Sequence, residues 1–459
     1  MRKTIMVTAP VSSRSGYGAH ARDLVWALIA HDRYDIYIED VRWGNCPRNA
    51  LDKNNIEHKK ILDLYLREEW HLTSPPNIYI DIRIPNEFRL VGEYNIGITA
   101  GTETSAVSGK WLEDCNKMDL NIVPSEHSKK GFMESIYDKL QQNPDGSQNK
   151  IGEMKLERPM EVLFEGSNTD IYKPLHHKEI PTEFFDWLND EVPEKFAFLT
   201  VGQWSQGGFG EDRKDLGRTI YNFYKTFANK KNAPALILKT HGAACSVMDK
   251  AEVLEKINSI KDGFPVGVKL PNIYLFYGTL TDEEMNYLYN HPKVKCMLSL
   301  THGEGFGRPL LEATMTGLPV IAPNWSGQVD FLDSNLSLLI GGELQDIPDS
   351  VVWENILIKE SKWFVVDEKN VFLALNYVFS SYDEVKRKAK ELMDINRKRF
   401  SLEAMTEKFK DIMDMVISVH GQKMEGQPKQ VGLNLPKLNK SAQTKEIKLP
   451  KLKKTVEEV

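Results

Sequence analysis

Short runs of apolar and β-branched residues recur along this chain, each followed by a polar loop and a stretch long enough for a helix. Residues 4–9 (TIMVTA), 36–41 (IYIEDV), 78–82 (IYIDI), 94–99 (YNIGIT) and 119–124 (DLNIVP) make a first series. Residues 196–201 (FAFLTV), 235–239 (ALILK), 273–277 (IYLFY), 294–300 (VKCMLSL), 319–322 (PVIA) and 337–340 make a second. Strands that are apolar throughout belong to parallel sheets covered on both faces by helices. Two such series predict an α/β protein of two doubly wound domains.

The 459 residues suffice for two such domains and a further segment. Residues 162–185, VLFEGSNTDIYKPLHHKEIPTEFF, are rich in Pro, Asn, Gly and charge and read as an interdomain connection. The expected division is a first domain over 1–172, a linker over 173–195 and a second domain over 196–400. Over 401–420, Leu402, Met405, Phe409, Ile412, Met413 and Val416 fall at helical spacing behind Ser401, a suitable N-cap. Residues 421–459 hold nine Lys against four Glu and no aromatic residue, on a chain whose total charge is -6. Within them LPKLNK at 435–440 recurs as LPKLKK at 449–454. Proline and lysine at this density predict an extended tail, suited to a protein partner or to self-association.

The net negative charge argues against a nucleic-acid partner, whose affinity rests on phosphate neutralisation. Cys46, Cys115, Cys245 and Cys296 are scattered, with no C-x-x-C pair, as expected of reduced thiols in a cytoplasmic protein. The amino terminus lacks the long apolar stretch of a signal peptide, and no segment approaches a membrane span.

The richest segment is THGEGFGRPLLEATMTGLPVIAPNWSGQVDF at 301–331. Gly303, Gly305 and Gly307 allow tight turns and close ligand approach, and Arg308-Pro309 opens a helix. A helix start behind such a loop suits a phosphate or another anion. Glu304 and Glu312 are placed to accept hydrogen bonds from neighbouring hydroxyls, although a solvated carboxylate and a helix-terminal charge would fit the same pattern.

GEGFGRPLLEA followed by TGLPVIAPNWSG resembles the Glu-x7-Glu motif of retaining GT-B glycosyltransferases of family 4. NIYLFYGTLTDEEMNYLYNHPKVKCMLSL upstream, VLFEGSNTDIYKP in the connection and RFSLEAM at 399–405 are similar to other pieces of that family, in the same order. The resemblance implies two Rossmann-like domains facing across a cleft and transfer of a hexose-like sugar from a nucleotide-sugar donor. It implies that Glu304 contacts the donor sugar and Glu312 the ribose. Gly305, Phe306 and Gly307 would offer backbone N–H groups, and Arg213 and Lys214 would neutralise the pyrophosphate. Gly16 and Gly18 would belong to a flexible loop closing near the phosphates. Glu103 and His127 are candidates on the acceptor side. No metal or other cofactor is implied: no D-x-D pair or His/Cys/Asp cluster has ligand spacing. The acceptor remains open between glycan, lipid and protein. A GT-B-fold component docked into an assembly by its tail is the alternative, and a DNA-modifying glycosyltransferase a further one.

Overall fold

The computed structural model describes residues 2–66, 74–144, 146–204, 207–242 and 246–425. The chain divides into Met1–Asp414 and Met415–Val459. The described part of the second unit, 415–425, is helical, five residues beyond the helix end expected at 420. Both LPKL repeats of the tail lie outside the described residues.

The body carries two six-stranded parallel sheets. The first contains β1 (Lys3–Ala9), β2 (Tyr34–Asp40), β3 (Ile78–Ile82), β4 (Tyr94–Ile98), β5 (Leu120–Val123) and, after a hairpin of β6 (Tyr137–Gln142) and β7 (Gln148–Met154), β8 (Met160–Val162). Its order is β2-β1-β3-β4-β5-β8. The second contains β9 (Ala197–Gln203), β10 (Ala235–His241), β11 (Ile273–Tyr277), β12 (Val294–Leu298), β13 (Val320–Pro323) and β14 (Leu338–Ile340) in the order β11-β10-β9-β12-β13-β14. An antiparallel pair, β15 (Gly342–Asp346) and β16 (Lys362–Val366), follows.

The second order is that of dinucleotide-binding folds: strands wind outward from β9, then restart at β12 on its other side. Burial explains the unbroken apolar runs. In β9, Ala197 and Leu199 face a core with Leu310 and Leu311, while Phe198 faces Phe223 and Phe227 on the opposite side. Leu199, Leu310, Leu311, Phe198, Phe223 and Phe227 are all buried. The β6–β7 hairpin escapes sequence recognition because its strands are mostly exposed and carry no apolar stripe.

The carboxyl edges of the two sheets meet. A Cβ at Gly303 would overlap the carbonyl oxygen of Glu103, and one at Gly305 that of Ala100. Ser125 Oγ donates to the Gly305 carbonyl at 2.6 Å, and Ser105 N donates to the Lys362 carbonyl at 2.8 Å. Ser401 caps the last helix, its Oγ accepting from Ala404 N at 3.1 Å, and Ser167 N donates to the Phe400 carbonyl beside it at 2.9 Å.

Gly305→Ala is expected to destabilise the protein by about 2 kcal/mol or more, because neither backbone can yield without moving a sheet edge. Gly16→Ala, with nothing within 4 Å of the added Cβ, should be neutral or mildly stabilising. Urea midpoints at constant m-value check both, and equal midpoints for the two variants contradict the close contact.

Candidate functional site

In an open α/β sheet the crevice for ligands lies beyond the carboxyl ends of strands where the winding reverses. In the second sheet that point is between β9 and β12. The loop after β9 carries Arg213 and Lys214, and the loop after β12 carries Glu304, so topology alone brings these distant residues together. Lys214 Nζ hydrogen-bonds Glu304 Oε1, and Arg213 Nη1 lies 3.3 Å from Glu304 Oε2. Arg213 Nη1 also reaches the Gly303 carbonyl at 3.3 Å and Glu103 Oε1 at 3.5 Å. Glu103 sits on the loop after β4, and so enters from the first sheet.

Glu304 is buried, its amide donating to Ser326 Oγ at 3.0 Å. Burial pushes its carboxyl up, but Lys214 and Arg213 outweigh that and hold it below the ordinary carboxylate range. The loop is held from beneath. His302 N and Thr301 Oγ1 donate to the Arg213 carbonyl at 2.9 and 3.1 Å. The His302 ring touches the Phe364 and Gly210 carbonyls and stacks on Trp363 at 4.0 Å. Asp212 and Asp215, either side of the Arg–Lys pair, are buried carboxyls pushed up to about 6 and about 7.

Gly307, with φ 98°, ends the loop in the left-handed region and starts the helix Arg308–Met315. Glu312 lies one turn inside, with Arg308 Nε 3.1 Å from its Oε1. The same guanidinium bonds Asp23 Oδ2 at 2.6 Å and stands 3.9 Å from Glu165 Oε2. One cation thus serves three carboxylates, Asp23 of the first helix and the buried Glu165 of the interdomain connection and Glu312 of its own helix. Burial pushes Glu312 up to about 8 and Glu165 to about 7, with Arg308 opposing in both cases.

Gly305 and Gly307 occupy the loop expected for them, but the Gly305 carbonyl is engaged by Ser125, and the Phe306 side chain is buried in the core. Gly16 and Gly18, expected in a flexible loop, lie in the first turn of the helix Gly16–His31. Ser15 caps that turn by accepting from Gly18 N at 3.0 Å. The residue between them makes the link to the site: Tyr17 OH is 2.8 Å from Thr99 Oγ1 and accepts from Ala100 N at 3.1 Å. His127 packs edge-on against Trp325, with ring centroids 4.6 Å apart, and burial lowers its pKa to about 4. It makes no hydrogen bond to the Glu304 cluster among the described residues. Sequence reading passed over Tyr17, Asp23 and Glu165, and took Arg308 only as the start of a helix. Arg308, four residues before Glu312 on a helix, carried the one local signal.

Residues 268–342 match the family model "Glycosyl transferases group 1". No curated protein matches the sequence. Among solved structures, Anabaena HepE in complex with UDP and glucose is 11% identical, aligns over 90% of this chain and 100% of its own, and gives a TM-score of 0.54. Sucrose-phosphate synthase from Thermosynechococcus elongatus is 12% identical, with 91% and 100% covered and a TM-score of 0.57. A glycosyltransferase from Rickettsia africae is 14% identical, with 93% and 100% covered and a TM-score of 0.56. The fold is therefore GT-B: two Rossmann-like domains joined at the carboxyl edges of their sheets. Among the described residues no helix is long and apolar enough to cross a membrane.

The raised Glu312 pKa has a consequence for stability. A carboxyl that binds its proton more tightly when folded stabilises fully below its ordinary value of 4.5, and that contribution disappears as pH rises through the folded value of about 8. The melting temperature should therefore fall from about pH 5 to about pH 8, and Glu312→Gln should flatten that fall. A slope retained unchanged in Glu312→Gln would place the proton elsewhere.

Proposed function

We propose that this protein is a retaining glycosyltransferase that moves a hexose-like sugar from a nucleotide-sugar donor to a hydroxyl acceptor. The observation that carries this reading is the cluster of buried Glu304 with Lys214 and Arg213 at the reversal point of the second sheet, one turn of loop and helix from Glu312. It joins the group 1 match over 268–342 and the fold shared with structures that hold UDP and glucose. UDP-hexoses are accordingly the first donors to test.

Glu304 holds two cations where a donor diphosphate would lie, and its oxygens are placed to accept hydroxyls of the transferred sugar. Glu312 would bind the ribose, and as an acid with a raised pKa it can donate as well as accept. As the bond between the anomeric carbon and the phosphate oxygen breaks, negative charge gathers on the diphosphate. Arg213 and Lys214 stabilise it there, the task a metal ion performs in other transferases. The acceptor oxygen bonds to the same face of the anomeric carbon, and its proton passes to the departing phosphate oxygen. Configuration is retained, and the protein contributes position and electrostatics rather than a nucleophile. Glu103, 3.5 Å from Arg213, would receive the acceptor. The scattered cysteines, with no C-x-x-C pair, support the cytoplasm as the proposed compartment.

UDP-, GDP-, ADP- and dTDP-sugars, tested in turn, should include one that raises the melting temperature and is hydrolysed or transferred with the anomeric configuration kept, as read by NMR. Arg213→Ala with Lys214→Ala should lower turnover by about a hundredfold or more while the protein stays folded. Glu312→Ala should weaken donor binding by about tenfold or more in calorimetry. Donor affinity and turnover equal to wild type in these variants would refute the assignment.

A further inference from the structure

At the opposite end of β12 from Glu304, a cavity of about 390 Å³ opens between the start of that strand, the turn at Pro292 and the helix Tyr382–Arg399. Three cations line it: Lys295 from β12, and Lys386 and Lys390 from the helix. Lys386 and Lys390 are four residues apart and so share one helix face, where like charges repel. Elsewhere the same helix pairs its cations: Arg387 bonds Glu391, and Lys388 Nζ is 3.5 Å from Glu384. Among the described residues none of the three cavity lysines has a carboxylate oxygen within 4.0 Å.

Their other contacts leave the charge in place. Lys386 Nζ donates to the Gly317 carbonyl at 3.1 Å, and Lys295 Nζ lies over the Tyr382 ring, 4.9 Å from its centroid. Burial lowers the pKa of both Lys295 and Lys386. In Lys386, the neighbouring Lys390 and Lys295 lower it further, while Asp383 favours the charged form of Lys295 from a distance. Partly buried like charges gathered on one cavity are costly in the free protein, and an entering polyanion relieves that cost.

We infer that this cavity is a second binding site, distinct from the Glu304 cleft, for a small molecule bearing a phosphate or diphosphate group. Its volume falls within the range of small-molecule pockets. Lysine ammonium groups bind phosphate as point charges with several donors each, and three of them would surround the phosphoryl oxygens here. The Tyr382 ring beside Lys295 offers an apolar surface to the organic part of such a ligand.

Inorganic pyrophosphate is the probe, titrated calorimetrically into the full chain at low ionic strength. To silence the candidate donor cations, the reference protein carries Arg213→Ala and Lys214→Ala. This reference should still bind pyrophosphate, and adding K386Q and K390Q should weaken binding by about tenfold or more. Lys390 is exposed, so K390Q alone provides the same comparison if the pair of changes disturbs folding. In phosphate-free buffer K390Q should melt no lower than its parent, and the rise in melting temperature caused by pyrophosphate should shrink. The inference is overturned if the reference protein does not bind pyrophosphate or if the cavity variants bind it as tightly. An equal loss from K369Q, an exposed lysine outside the cavity, overturns it as well.

Discussion

Contact between two stretches of backbone, residues 100–103 after β4 and residues 303–305 after β12, organises the rest of this molecule. No side chain fits at Gly303 or Gly305, because a Cβ at either would meet a carbonyl oxygen of the opposite loop. With the two sheet edges so close, Glu103 of the first domain reaches Arg213 of the second, and Ser125 reaches the Gly305 carbonyl. The glycines that resemble a ligand-binding loop therefore serve a domain contact first. Residues of both halves thus meet at the candidate site.

Two glutamates eight residues apart occupy opposite electrostatic states in this frame, and the local ratio of charges explains why. Glu304 is buried between two cations, whose attraction exceeds the cost of desolvation, and it stays ionised. Glu312 is buried around one guanidinium that also serves Asp23 and Glu165, so desolvation prevails and its proton is held. A shared Arg308 also ties three parts of the chain into one polar knot. Separation of the domains would leave buried carboxylates without their cation.

The fold class was legible in the sequence because each inner strand is buried on both faces and must be apolar along its length. Glu304 and Glu312 were legible because their spacing is local and lies within one strand–loop–helix unit. The exposed β6–β7 hairpin was not, since it leaves no periodic apolar signature. The helical setting of Gly16 and Gly18 was not either, since the apolar stripe of Ala21, Leu24, Val25 and Leu28 begins only after them. In the first helix, the polar cap from Ser15 and the bond from Tyr17 to Thr99 determine the local structure, and a glycine pair in sequence reads as a loop.

The sequence by itself determined that two parallel-sheet domains form, that a glycine-rich loop follows the fourth strand of the second, and that two carboxylates stand eight residues apart across it. Only the tertiary structure decided which charges these carboxylates meet. Lys214 is 90 residues from Glu304 and Asp23 is 285 residues from Arg308, and no local pattern encodes either pairing. Strand order brings the loops after β9 and β12 side by side, and the meeting of sheet edges adds Glu103, Asp23 and Glu165. Protonation follows from that three-dimensional count of charges in a buried space, a quantity that spacing along the chain does not contain.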